Sequence, residues 1–114
     1  MRTICLPAFI LLLLSACATD SAPPAMNCEN ERVTYSGTIG PLIVTHCYGY
    51  GCHNQGATIG DFTTYQGLKA KIDNGSFRLR VLDLKVMPPY GHTPLSDLEL
   101  FRIRCWLEAG APEN

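Results

Sequence analysis

The segment Cys47-Tyr48-Gly49-Tyr50-Gly51-Cys52-His53 lies near the middle of this 114-residue chain, and it is the most informative stretch of the sequence for both fold and function. It places two thiols on either side of a loop of Tyr and Gly, with an imidazole directly after the second thiol. Gly49 and Gly51 permit a bulge between the thiols, because glycine adopts backbone angles that other residues avoid. Three interpretations stay open on these residues alone: a small local disulfide, a zinc site that also uses His46, or covalent attachment of a cofactor.

The attachment interpretation has a specific chemistry. In the C-x-x-C-H signature of c-type haem attachment, two thiols add to the haem vinyl groups and the adjacent histidine ligates the iron. The spacing here is C-x₄-C-H, which keeps Cys52 beside His53 and Cys47 within reach. Downstream, Met87 precedes two prolines in a rigid loop, and a Met/His pair is the axial arrangement of cytochromes c. His92, in the same loop, competes with Met87 as the sixth ligand.

The order of these motifs resembles that of small bacterial c-type cytochrome domains, and the resemblance covers residues 36–114. It implies one covalently attached haem c, thioether bonds at Cys47 and Cys52, and His53 and Met87 as the two iron ligands. The matching residues are Ile39, Pro41 and Leu42; Cys47, Cys52 and His53; Gly60-Asp61-Phe62; Tyr65, Gly67, Leu68 and Lys69; Gly75; Arg80-Val81-Leu82; Met87-Pro88-Pro89; Leu95-Ser96; and Trp106 to Pro112.

The predicted fold class is all-α: a small, loop-rich cytochrome c-like domain of three to four short helices around a haem. Apolar residues recur at helical spacing in several segments, and none is patterned as a strand. Ser96 and Glu99 form a capping box before the clearest helix, which ends at Gly110. The other predicted helices are 38–46, 64–73 and 77–84, and 87–94 is excluded from helix by its prolines and glycine.

The first residues have the pattern of an export signal. The apolar run from Ile4 to Leu14 has about 11 residues, within the 7–15 of a signal peptide and short of the roughly 20 of a membrane span. Leu14-Ser15-Ala16-Cys17 resembles the lipobox of bacterial lipoproteins, which implies cleavage before Cys17 and lipidation of its thiol. The alternative is an ordinary secretory signal. Ala18 after the lipidated cysteine favours the outer membrane, by resemblance to lipoprotein sorting rules.

These observations divide the chain into three parts and predict its location. Residues 1–16 are the signal peptide, 17–35 are the lipidated Cys and a flexible tether, and 36–114 are the cytochrome c-like domain. The location is the bacterial cell envelope, with the domain lipid-anchored and facing the periplasm.

Cysteine usage predicts one further bond. Of the six cysteines, Cys5 leaves with the signal peptide, Cys17 takes lipid, and Cys47 and Cys52 belong to the central motif. Cys28 and Cys105 remain as a pair in an oxidising compartment, where disulfides persist. We predict a disulfide between them, the alternative being two free thiols.

Charge and motifs limit the function. The formal net charge of -1 argues against a nucleic-acid partner, which requires a basic face. No catalytic constellation is visible, so no enzyme activity is predicted. The prediction is a monohaem c-type cytochrome, a membrane-anchored one-electron carrier that serves redox partner proteins. The alternative is a haem-free binding module stabilised by disulfide or zinc. Basic residues are concentrated in one stretch, here called the basic window: Lys69, Lys71, Arg78, Arg80 and Lys85. This window either docks a redox partner, flanks the haem propionates or is a solvated helical face.

Overall fold

The computed structural model describes residues 25–114, and every regular element in this part of the chain is a helix. The predicted all-α class is confirmed at that level. The predicted signal peptide, Cys17 and the tether up to residue 24 lie outside the described residues. Between residues 25 and 114, no helix is long and apolar enough to cross a membrane.

Helix α1 (Gly40–Cys47) carries the first thiol of the central motif at its C-terminal end. A π-helical turn over Tyr35–Ile39 leads into it, so helical structure begins three residues before the predicted start at Thr38. Thr34 caps this turn by accepting a hydrogen bond from the Gly37 amide at 3.1 Å. Such π turns are short local variations of a helix, which apolar spacing alone does not distinguish from an α-helix.

Helices α2 (Tyr65–Asp73) and α3 (Ser76–Arg78) follow the motif and are separated by a tight turn. Thr64 caps α2 through the Gly67 amide at 3.1 Å, as its sequence position predicts. Gly75 forms the turn with a left-handed φ of 77°. A second π-helical turn, Leu79–Asp83, continues α3 and occupies most of the predicted helix over 77–84.

Helix α4 (Asp97–Glu108) begins at the predicted capping box. Ser96 donates its backbone N–H to Glu99 Oε2 at 2.7 Å, and Glu99 donates its own amide to Ser96 Oγ at 3.3 Å. The hydrogen bond from the Ser96 amide is the main reason that the pKa of Glu99 is lowered. The lowered pKa means that this carboxylate stabilises the fold above its unfolded pKa, and that its contribution is lost as the pH falls through its folded pKa.

The core lies between these helices and is built on four almost completely buried side chains: Trp106, Ile39, Leu68 and Ile103. Full burial of an aliphatic side chain contributes about 1.5–3 kcal/mol. Trp106 also donates its indole N–H to the Pro112 carbonyl at 2.8 Å. That carbonyl accepts the Tyr35 amide at 3.1 Å as well, so the segment after α4 is held against the turn before α1.

The predicted disulfide between Cys28 and Cys105 is present, with the two Cα atoms 5.2 Å apart. It joins a 3₁₀ turn, Cys28–Asn30, to a buried position on α4. Val33 is only 6% exposed and belongs to the core. Packed structure therefore begins before Ser36, inside the stretch that was expected to be a tether.

Candidate functional site

The structure contains a cavity of about 490 Å³, within the 300–1,000 Å³ typical of small-molecule sites. Cys47, Cys52, His53 and Met87 all line it, although Met87 is 34 residues from His53 in the sequence. His92 lines the same cavity. Most of the remaining wall is apolar, including Ile39, Leu42, Ile43, Phe62, Phe77, Val81, Leu95 and Ile103.

The loop between the thiols closes on itself, which returns both cysteines to one cavity. The His53 amide donates to the Cys47 carbonyl at 3.1 Å, and the Cys52 amide donates to the Gly49 carbonyl at 3.0 Å. Asn54 clamps Gly49 from outside, donating to its carbonyl at 2.7 Å and accepting from its amide at 3.2 Å. Gly49 and Gly51 have φ values of 144° and 76°, which favour glycine as the sequence predicts.

The ring of His53 is fixed in orientation by two contacts. Its Nδ1 lies 2.8 Å from the Gly60 carbonyl oxygen, which can only accept, so Nδ1 carries the proton. The ring stacks on Phe62 with 3.8 Å between centroids and 2° between planes. In the described part of the chain Nε2 has no hydrogen-bond partner. A histidine held in this way by a backbone carbonyl presents the unprotonated nitrogen that a metal requires.

Gly60 suits the position that supplies this carbonyl. Its φ of 126° is one that residues with a side chain rarely adopt. A Cβ there would also lie 2.8 Å from Lys71 Cε, which can move aside, and 3.1 Å from Phe62, on which the His53 ring stacks. The sequence marked Gly60 only through its place in the resemblance, without showing this role.

Met87 is held in place by backbone hydrogen bonds to the π-helical turn that continues α3. The Val86 and Met87 amides both donate to the Arg80 carbonyl, at 2.9 and 3.2 Å. Met87 is half-buried, and Pro88 and Pro89 line the cavity beside it. His92 is an exposed residue whose amide donates to the Pro89 carbonyl at 3.1 Å. The loop thus brings both candidate ligands to the cavity.

The thiols of Cys47 and Cys52 are free and half-buried. Burial, and secondarily the nearby Cys52, raise the pKa of the Cys47 thiol to about 11. At neutral pH Cys47 is therefore a protonated thiol. This argues against a role for Cys47 as a nucleophile, because reactive cysteines have a lowered pKa.

We expect Cys47 in the haem-free chain to be alkylated by iodoacetamide at pH 8 on the order of 100-fold more slowly than glutathione, because the thiolate is the reactive form. Its rate should rise about tenfold per pH unit until the pH approaches about 11. Peptide mass spectrometry of quenched samples, with Cys28–Cys105 intact, measures both rates. Alkylation of Cys47 as fast as that of glutathione at pH 8 would contradict this expectation.

His46 lines the same cavity as the cysteine pair, and both of its ring nitrogens have partners. Its Nδ1 lies 3.1 Å from the Thr93 carbonyl oxygen and its Nε2 lies 3.1 Å from Glu99 Oε1. Across residues 25–114, no three side chains of His, Cys, Asp or Glu are grouped as a metal site would require.

Polar groups from α2, α3 and the turns around them complete the cavity lining: Lys71, Asn74, Ser76 and Arg80. They include two residues of the predicted basic window, whereas Lys69 of that window pairs with Asp73 within α2. Tyr48 donates its hydroxyl to the Phe62 carbonyl at 3.1 Å, and Tyr50 is fully exposed. The two tyrosines between the thiols therefore differ: one supports the site and the other faces solvent.

Sequence reasoning found the ligand candidates but did not predict the roles of two supporting residues. Asn54, directly after the motif, clamps the loop, and its position beside a glycine-rich turn was the available signal. Gly67 lies in α2 against the Asp61 carbonyl, and a glycine inside a helix was the corresponding signal. Leu68, Phe101 and Trp106 are buried but do not line the cavity.

The chain matches no family model, and comparison with curated proteins and with solved structures gives no match either. The residues and the geometry of the site are therefore what indicates a function for this chain.

Proposed function

We propose that this chain is a monohaem c-type cytochrome that acts as a membrane-anchored one-electron carrier. The observation that carries the proposal is the convergence of Cys47, Cys52, His53 and Met87 on one apolar cavity. Two thiols, an oriented imidazole and a thioether are the donor set that covalent attachment and two-sided ligation of haem iron use.

The residues present fit a haem in chemistry as well as in number. The apolar wall suits a porphyrin, and His53 offers Nε2 because Gly60 holds Nδ1. Free, half-buried thiols at Cys47 and Cys52 suit bond formation to vinyl groups during maturation. Lys71 and Arg80 supply positive charge to the same cavity, where carboxylate groups of the cofactor are favoured.

A bound haem supplies one-electron exchange between ferric and ferrous iron. The chain's own residues hold the ligands and limit access of water. His53 is restrained by Gly60 and by stacking on Phe62, which limits rearrangement of the ligand. Met87, as the second ligand, raises the reduction potential relative to a second histidine. With both positions filled by the protein, no substrate site remains, which is why we propose a carrier rather than an enzyme.

The proposal includes the setting of the carrier. Lipidation at Cys17 would hold the domain on the bacterial envelope facing the periplasm, with the outer membrane favoured. Its partners are redox proteins, and the basic residues Arg78 and Lys85, both exposed, offer charge for their encounter.

The full chain, expressed in a bacterium with haem-maturation machinery, is expected to be red and to keep its haem through denaturing electrophoresis. Intact mass spectrometry should give one porphyrin, loss of residues 1–16 and acylation of Cys17 in a single measurement. The paired control is Cys47→Ser with Cys52→Ser, which removes both attachment points and should give a colourless band.

A colourless product with the mass of the bare chain would overturn the proposal. It would favour the haem-free binding module, for which the Cys28–Cys105 bond provides the stability. Haem retained in the double serine variant would instead contradict the attachment sites.

Met87→Ala is expected to abolish the long-wavelength sulfur-to-iron charge-transfer band of the oxidised protein, because the thioether is its source. His92→Ala, in the same loop, is the matched control and should leave the band in place. Absorption spectroscopy of both variants at equal haem content is the measurement. Loss of bis-histidine spectral features in His92→Ala, with Met87→Ala unchanged, would assign the sixth ligand to His92.

A further inference from the structure

His46 is a buried, hydrogen-bonded side chain that lines the cavity but is neither an attachment point nor an iron ligand in the proposed haem site. It lies in the last turn of α1, directly before Cys47, and its side chain is only 5% exposed. Nδ1 contacts the Thr93 carbonyl at 3.1 Å and Nε2 contacts Glu99 Oε1 at 3.1 Å. Both partners only accept hydrogen bonds, so a ring nitrogen that carries a proton donates to the partner that faces it.

The Thr93 contact matters because of what surrounds it. Residues 88–95 connect Met87 to α4, and three of them are prolines without an amide N–H. Inside this loop the His92 amide bonds the Pro89 carbonyl. Among the hydrogen bonds of the described part of the chain, the one from His46 is the one that joins residues 88–95 to another element, while Leu95 packs against the core. The loop after Met87 therefore has a single hydrogen bond to α1.

The Glu99 contact fixes the other side of the same ring. Glu99 is held by the capping box with Ser96, at the start of α4. His46 thus lies between the loop and the N-terminal end of α4, and its own helix ends in the first attachment thiol. A displacement of the ring would move the loop relative to Cys47.

We propose that His46 is a positioning residue that holds the Met87 loop against the helix bearing Cys47 and so keeps the Met87 sulfur in ligand position. This inference rests on the proposed haem function. His46 contacts the loop and α4, and it acts on the ligand only through them.

Two amide substitutions separate the two contacts of the ring. An asparagine amide nitrogen takes the place of Nδ1, and a glutamine amide nitrogen takes the place of Nε2. His46→Asn therefore keeps a donor for Thr93 and loses Glu99, whereas His46→Gln keeps a donor for Glu99 and loses Thr93. Ser96→Ala is the control, because it removes the α4 cap and leaves the His46–Thr93 bond.

In the haem-loaded protein we expect all three variants to keep the covalent adduct by mass. His46→Gln should lose most of the sulfur-to-iron charge-transfer band, whereas His46→Asn and Ser96→Ala should retain it. In the haem-free chain, exchange of the Val86, Met87 and His92 amide protons should accelerate about tenfold in His46→Gln and little in His46→Asn.

An undiminished band together with unchanged exchange in His46→Gln would overturn the inference. Equal loss of the band in Ser96→Ala, or loss in His46→Asn with retention in His46→Gln, would also overturn it, because packing of α4 would then be the cause. A wild-type chain that takes up no haem defeats the proposed function instead, and the exchange rates still decide whether His46 holds the loop. Should His46→Asn not fold, amide exchange in His46→Gln still decides whether the loop depends on the Thr93 contact. Should His46→Gln not fold, His46→Ala replaces it, because it also lacks a donor for Thr93.

Discussion

Reduction of the Cys28–Cys105 disulfide is expected to lower the free energy of unfolding by about 4 kcal/mol. The bond joins residues 77 apart in sequence, so its loss releases a long loop in the unfolded chain. Domains of this size have a total stability of about 5–15 kcal/mol, so the loss is a large share. The 3₁₀ turn at Cys28–Asn30 buries no residue, so its own packing offsets little of the stability lost when the disulfide is reduced.

Urea unfolding of the haem-free chain, with and without reductant, measures this effect. Cys28→Ser with Cys105→Ala is the matched variant, and it should unfold at the same urea concentration in both conditions. If the free energy of unfolding differs by less than about 1 kcal/mol between oxidised and reduced wild type, the native contacts of residues 25–35 hold this end of the domain, rather than the disulfide.

Gly67→Ala is expected to destabilise the domain by about 3 kcal/mol and to impair haem attachment. Helix propensity alone predicts a gain of about 1 kcal/mol for this change inside α2. The contact outweighs it, because a Cβ at position 67 would lie 1.9 Å from the Asp61 carbonyl oxygen. Asp61 must then move, and the next residue is Phe62, on which the His53 ring stacks.

Gln66→Ala is the control for this prediction, since Gln66 is an exposed neighbour in the same helix. It should change stability by less than about 0.5 kcal/mol. Thermal unfolding of both variants, with the haem-to-protein ratio after expression, provides the comparison. A Gly67→Ala protein as stable as wild type and with full haem content would mean that the site does not need the close contact between residue 67 and the Asp61 carbonyl.

Most of the features predicted correctly from sequence depend on residues that are close together in the chain. Ser96 and Glu99 predict the start of α4 because a capping box involves residues three apart. Thr64 does the same for α2, and the prolines after Met87 exclude a helix there. The Cys28–Cys105 pairing followed from the small number of cysteines left after the motif and the signal were assigned.

What the sequence did not reveal depends on contacts between distant residues. His46 was considered a zinc ligand, yet its partners are 47 and 53 residues away. The close approach of Gly67 to Asp61 spans only six residues, but it depends on how the chain turns before α2, which the glycine alone does not specify. Val33 joins a core cluster that includes Ile103 and Trp106, and a single apolar residue in a polar stretch gives no periodicity that would predict this.

The attachment of Cys28 to α4 has a mechanical consequence for a chain that is held by its N-terminal end. Tension applied at Ala25 reaches the covalent bond after three residues and passes directly into α4. It does not pull residues 29–35 away from the domain one after another. If the proposed lipid anchor holds the chain, the force enters the domain at Cys105 and not through the loops that carry His53 and Met87.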